Sequence, residues 1–131
     1  MDFNSYYFIE DSCSYKLGNC EVFAIALSEL LNKPLYVVRG FYWDNNIKEN
    51  VYEDCHVVVK VSNNNYMDVD GIKNEEEIKL SCMFLNDIKK IKLIKITKEE
   101  AKFIFSTEGI LEKDIEKAKQ IILQNKSKYG L

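Results

Sequence analysis

Between Cys20 and Leu31 apolar residues recur at helical spacing, with Phe23, Ala24, Leu27, Leu30 and Leu31 falling every three or four positions. Val22, Ile25 and Ala26 widen that stripe, so the segment predicts a helix that is mostly buried. Gly18-Asn19 supplies a turn before it and Asn32-Lys33-Pro34 ends it. The pattern then changes to that of strands. Leu35-Tyr36-Val37-Val38 is a run of strand formers closed by Gly40, with Phe41-Tyr42-Trp43 as a continuation. Asp44 to Asp54 is polar and Asn-rich and predicts a loop or hairpin connection. Cys55 to Val61 predicts a second strand, Asn63-Asn64-Asn65 a turn, and Tyr66-Met67-Asp68-Val69 the returning strand, closed by Asp70-Gly71.

Helical signals return towards the C-terminus. Residues 74–89 are ambiguous, although Glu75-Glu76-Glu77 suits the opening of a short helix. Ile91 to Ile96 alternates with Lys92 and Lys95, predicting another strand. Thr97 followed by Glu100 has capping-box spacing and opens a helix through about Phe105. Ile110, Leu111, Ile115, Ala118, Ile121 and Ile122 form one apolar stripe on a final helix whose Lys/Glu face suits solvent. Residues 1–17 are aromatic and polar and predict a short helix or strand, then a loop around Asp11-Ser12-Cys13-Ser14. Helix, then strands, then helices predicts a single α+β domain over residues 1–131, with an antiparallel sheet and C-terminal helices.

Composition narrows the classes. A chain of 131 residues, 47% apolar and 12% aromatic, can bury a core without staples and is unlike a disordered chain. A net charge of -3 gives no electrostatic reason to expect nucleic acid. The longest apolar run, Val22 to Leu27, is far too short to span a bilayer, so no membrane partner is expected. Met1-Asp2-Phe3-Asn4 does not open a positive-then-apolar secretory signal, which makes the cytoplasm the expected location. Arg39 is the one arginine among 18 cationic residues, and Lys, Ile and Asn abound. That bias belongs to AT-rich coding and lowers the meaning of any single lysine. Cys13, Cys20, Cys55 and Cys82 form no CxxC or CxH pair, so free thiols are expected, with Cys13, Cys55 and Cys82 as small buried hydrophobes. Adjacent Cys55 and His56 point to opposite faces of a strand and chelate poorly; a zinc site from Cys13, Cys20 and His56 is the metal alternative.

Cys20 stands apart, at the first residue of the buried helix and right after a Gly-containing turn. Helix N-termini carry partial positive charge and unpaired N–H groups. Both favour the thiolate, and the same N–H groups can hold a developing oxyanion. His56, the sole histidine, opens the second strand 36 residues on and would stabilise the thiolate and protonate a leaving amine. Asp68 follows 12 residues later, across a tight turn, in a position to orient the imidazole. A turn centred near Asn63-Asn64 makes the His56–Asp68 contact diagonal and puts Asp70 closer to direct opposition, so Asp70 is the second candidate for the orienting acid.

These residues resemble a known family. Gly18-Asn19-Cys20-Glu21-Val22-Phe23-Ala24, the helix to Pro34, Val37-Val38-Arg39-Gly40, His56-Val57-Val58-Val59 and Tyr66-Met67-Asp68-Val69-Asp70-Gly71 look like the core of transglutaminase-like proteins within the papain-like cysteine peptidase superfamily. The resemblance spans about residues 15–72. It implies a Cys-bearing helix packed on an antiparallel sheet that carries the His and Asp. It also implies thiol chemistry at an acyl centre (peptidase, amidase, deamidase or acyl transferase), with catalytic residues Cys20, His56 and Asp68 and no cofactor. The expected substrate is a protein or peptide-like amide. Many papain-like enzymes place a Gln shortly before the Cys as an oxyanion donor, whereas this chain has no Gln before residue 120. Asn19, Tyr15, Ser12 or a main-chain N–H would have to serve instead. Two other readings stand beside this one: a non-catalytic module that binds and blocks a partner, and a small-molecule acyl transferase with a pocket. Trp43 and the Tyr-rich N-terminus read as core or rim, and Phe41 to Asn50 could edge a cleft. No motif specifies an oligomeric state.

Overall fold

A computed structural model describes residues 20–80 and 90–131. Its centre is an open antiparallel sheet of five strands: β1 (Leu35–Asp44), β2 (Glu49–Ser62), β3 (Asn65–Asp68), β4 (Gly71–Asn74) and β5 (Lys90–Ile96). They lie in the order β4-β3-β2-β1-β5. Helix α1 (Cys20–Leu31) packs on β1, β2 and β3, and α3 (Lys98–Phe103) and α4 (Glu112–Leu123) pack against α1. The short α2 (Glu75–Lys79) follows β4. The α+β architecture expected from the pattern is therefore present.

Burial explains why these segments form these elements. Phe23, Ile25 and Leu27 of α1 meet Val37, Val57 and Val59 of the sheet in the main core, which α4 extends through Ile115 and Ile122. The alternate residues Val38, Val58 and Tyr66 point to the other face, where Ile78 of α2 covers them. Both faces of β1 and β2 are thus apolar at their centre, which is why Val57-Val58-Val59 is a continuous run rather than an alternation. Helix α1 ends where Asn32 turns to φ 54°, the left-handed conformation that asparagine tolerates. The expected capping box exists, with the Thr97 hydroxyl accepting from Glu100 N–H at 3.1 Å and the Glu100 carboxylate accepting from Thr97 N–H at 3.0 Å.

Of the loop or hairpin expected from Asp44 to Asp54 the hairpin forms, with Glu49–Asp54 as strand and the turn at residues 45–48. The structure departs from the sequence reading in three places. Gly71–Asn74 adds an edge strand beyond the expected close at Asp70-Gly71. Ile110 and Leu111 precede α4 rather than belonging to it, and Leu111 is exposed. A 3₁₀ turn at Lys126–Tyr129 follows α4 and buries Tyr129. Expectations for residues 1–19, among them the Gly18-Asn19 turn and the Ser12, Tyr15 and Asn19 donors, for Cys13 and Cys82, and for the second half of 74–89 lie outside the described residues.

Candidate active site

Cys20 is the first residue of α1, as the turn and the apolar stripe predicted, and it is buried with a free thiol. Beside it, on β2, stands His56. Strand geometry alone would not aim His56 at the helix. Cys55 packs with the cluster on one face of the sheet, yet Val57, two residues on, packs in the main core on the other. In a regular strand those two would share a face. A bulge in the β1–β2 register between Val38 and Arg39, where Val38 pairs with His56 and Arg39 with Asp54, breaks the alternation there. His56 sits at that break.

The ring meets two partners. Its Nε2 lies 3.1 Å from Asp68 Oδ2, and the Cys20 side chain is near enough to act on the ring's charge. With Nε2 engaged by the carboxylate, Nδ1 is the ring atom left for the sulfur. Burial by itself would lower the His56 pKa; the Asp68 and Cys20 side chains together outweigh it and raise it to about 9. The imidazolium is thus the form favoured at neutral pH.

Asp68 is the last residue of β3 and is almost fully buried. Its Oδ1 accepts the Asp70 N–H at 2.9 Å, and its Oδ2 accepts from His56 and from Lys73 Nζ at 3.3 Å. Burial would raise the Asp68 pKa, but His56, Lys73 and the Asp70 amide together lower it below the usual aspartate range. Asp70 contributes its main chain to Asp68, while its own carboxylate accepts from Lys73 at 3.4 Å. The carboxylate on the ring is Asp68. The diagonal contact expected from strand pairing is therefore the one that forms, helped by a second register shift between Lys60 and Ser62 in the β2–β3 pair.

Two charged residues at the site escaped the sequence reading. Glu21 is 2% exposed, and its Oε2 lies 4.0 Å from the Cys20 sulfur, which donates to it. The signal was available: a carboxylate inside a stretch predicted to be mostly buried needs a partner or a task. Lys73 is the other, concealed because it lies on the unpredicted β4. Behind them, the Tyr129 hydroxyl donates to Val69 C=O at 2.6 Å, tying the C-terminal turn to the residue after Asp68.

Cys55 is disulfide-bonded, so the expectation of a free thiol fails there. Of the zinc set, Cys13 lies outside the described residues; among the described residues no group of three or more His, Cys, Asp or Glu could hold a metal ion. No described helix is long and apolar enough to cross a membrane. The stretch from Phe41 to Asn50 does edge a cleft, of about 300 Å³, lined by Phe41, Tyr42, Asn50, Lys90 and Lys92. It shares no lining residue with Cys20, His56 and Asp68. No protein-family model matches the chain, and neither does any curated protein or solved structure.

Proposed function

We propose that this protein is a thiol-dependent hydrolase or acyl transferase acting on an amide-type bond of a protein or peptide-like substrate, with a papain-like or transglutaminase-like Cys–His–Asp site. The observation that carries this reading is one imidazole bonded to a buried carboxylate and raised in pKa by a helix-start thiol beside it. Each partner answers a chemical need. The Cys20 thiolate attacks the carbonyl carbon and forms an S–C bond, while the N–H groups at the start of α1 face the developing oxyanion. The His56 imidazolium gives its proton to the leaving nitrogen as the C–N bond breaks. Neutral His56 then takes a proton from water or an acceptor amine, which attacks the thioester and frees Cys20. Asp68 holds the ring in register and stabilises its charge throughout. A disulfide at Cys55 fits an oxidising compartment better than the cytoplasm.

A second reading, a non-catalytic binding module on the same scaffold, is favoured by the low exposure of Cys20, 8%. The alkylation rate of Cys20 by iodoacetamide, followed against pH in wild type and His56→Ala with the labelled peptide identified by mass, separates the two. The enzyme reading expects fast alkylation at neutral pH that slows by at least about tenfold in the variant. A slow rate in both proteins, indifferent to the mutation, supports the module and removes the enzyme reading.

A further inference from the structure

The thiol at Cys20 has two ionisable neighbours rather than one. On one side is His56; on the other, 4.0 Å from the sulfur, is Glu21 Oε2. Among the described residues Glu21 has few other polar contacts. The residue is 2% exposed, and its carboxyl bonds its own main-chain N–H and feels the charge of His56 from β2. Asp68 of β3 bonds the ring, and Lys73 of β4 bonds Asp68. The cations that α3 and α4 bring to α1, Lys98 and Lys119, are taken by Glu29 at the far end of the helix.

We propose that Glu21 belongs to the catalytic machinery: its carboxylate accepts the proton of the Cys20 thiol, so that sulfur and carboxyl share one negative charge. This rests on the reading of Cys20 as the nucleophile. The step balances without a co-reactant. The S–H bond breaks, its electron pair stays on sulfur, and an O–H bond forms at Glu21 Oε2. Two anions about 4 Å apart in a water-poor site repel strongly, so one of the pair retains a proton. Burial shifts that balance towards the carboxyl, because desolvation raises the Glu21 pKa against the opposing effects of its own N–H and of His56. His56 is poorly suited to receive this proton, since the same surroundings keep it in the imidazolium form. A neutral Glu21 then leaves the thiolate–imidazolium pair unopposed.

The test is the pH profile of Cys20 alkylation in the full chain, wild type against Glu21→Gln, which keeps the shape and removes the titration. Coupling of this kind makes the wild-type rate rise in two steps separated by more than about one pH unit. The variant rises in one step. A single step in wild type, or an unchanged profile in Glu21→Gln, overturns the proposal. His56→Ala keeps that failure distinct: if it slows alkylation while Glu21→Gln changes nothing, the dyad survives and the role of Glu21 falls. Should Glu21→Gln not fold, infrared spectra of wild type and Cys20→Ala decide. The shared charge predicts a protonated-carboxyl band at neutral pH in wild type that is lost when the sulfur is removed. No band, or a band that persists in Cys20→Ala, overturns the proposal.

Discussion

Asp68 accepts three hydrogen bonds, two of them from cations that compete for the same oxygen, Oδ2. The competition gives opposite signs to two substitutions. Asp68→Asn removes one of the two partners that together outweigh burial at His56, so the ring pKa should fall by more than about one unit. Lys73→Met removes a cation while leaving Asp68 in place, so the ring pKa should rise, by less than about one unit. Since His56 is the sole histidine, its ring protons titrate without overlap in an NMR experiment. Shifts of the same sign in both variants would contradict the shared-oxygen geometry. Residue identity made much of this site readable in advance. One histidine, one helix-start cysteine and an aspartate across a short turn leave few combinations. The choice between Asp68 and Asp70 was not readable, because it depends on register shifts that strand-forming residues do not announce. Glu21 was missed because an acidic residue in a first helical turn ordinarily complements the helix dipole at the surface, whereas here it is enclosed.

Elements were legible where burial is one-sided or complete. Helix α1 and the valine-rich centres of β1 and β2 imprint their packing on the sequence. The outer part of the first hairpin is different. Glu49–Asp54 is largely exposed on both faces, so the pairing rests on main-chain bonds and on contacts such as Arg39 Nε to Asp54 Oδ1 at 2.6 Å, and no period-2 pattern results. Strand β4 has only Ile72 as a large apolar residue, and that side chain is exposed. Ile110 and Leu111 continue the spacing of the α4 stripe by coincidence of composition, since chain direction changes before Glu112. The C-terminal turn illustrates how an unpredicted element supports a predicted site. Tyr129 stacks edge-on against Phe23 of α1 with ring centroids 5.3 Å apart, and its hydroxyl holds Val69 C=O. Burial and the nearby Asp68 and Asp70 charges push its phenol up to about 12, so it remains a donor through the physiological range. Tyr129→Phe leaves that buried carbonyl without this bond and should cost about 1–2 kcal/mol, read as a lower urea midpoint at constant m-value. An unchanged midpoint would show that the hydroxyl does not anchor the turn after β3.

Over the whole molecule, the site imposes a pH dependence on stability that the surface cannot supply. The ion pairs joining α1, α3 and α4, among them Lys98–Glu29, Lys119–Glu29 and Lys102–Glu112, lie at or near the surface, where such pairs contribute little. Their groups also shift away from neutrality: Glu29 and Glu112 have lowered pKa values, and Lys98 and Lys119 raised ones. His56 is different. Its pKa rises on folding, from 6.5 to about 9, so the folded state binds the proton more tightly than the unfolded chain. That contribution is fully present below 6.5 and is lost as the pH climbs through about 9. Glu21 has the same sign with an earlier onset: its raised pKa favours the folded state below 4.5 and less so above. Asp68 has the opposite sign; its lowered pKa stabilises above 3.8 and that contribution is lost only on acidification. Between 6.5 and about 9 the His56 effect and any proton still held by Glu21 act in the same direction. Urea unfolding across that window should show stability falling by on the order of 1–3 kcal/mol. The same series in Asp68→Asn should fall less steeply, because Cys20 is then the one remaining partner that holds the ring's proton. A wild-type stability that stays level or rises across the window would mean that the buried imidazole is not held as a cation by its neighbours, and the proton that the proposed mechanism delivers to the leaving group would have no source at neutral pH.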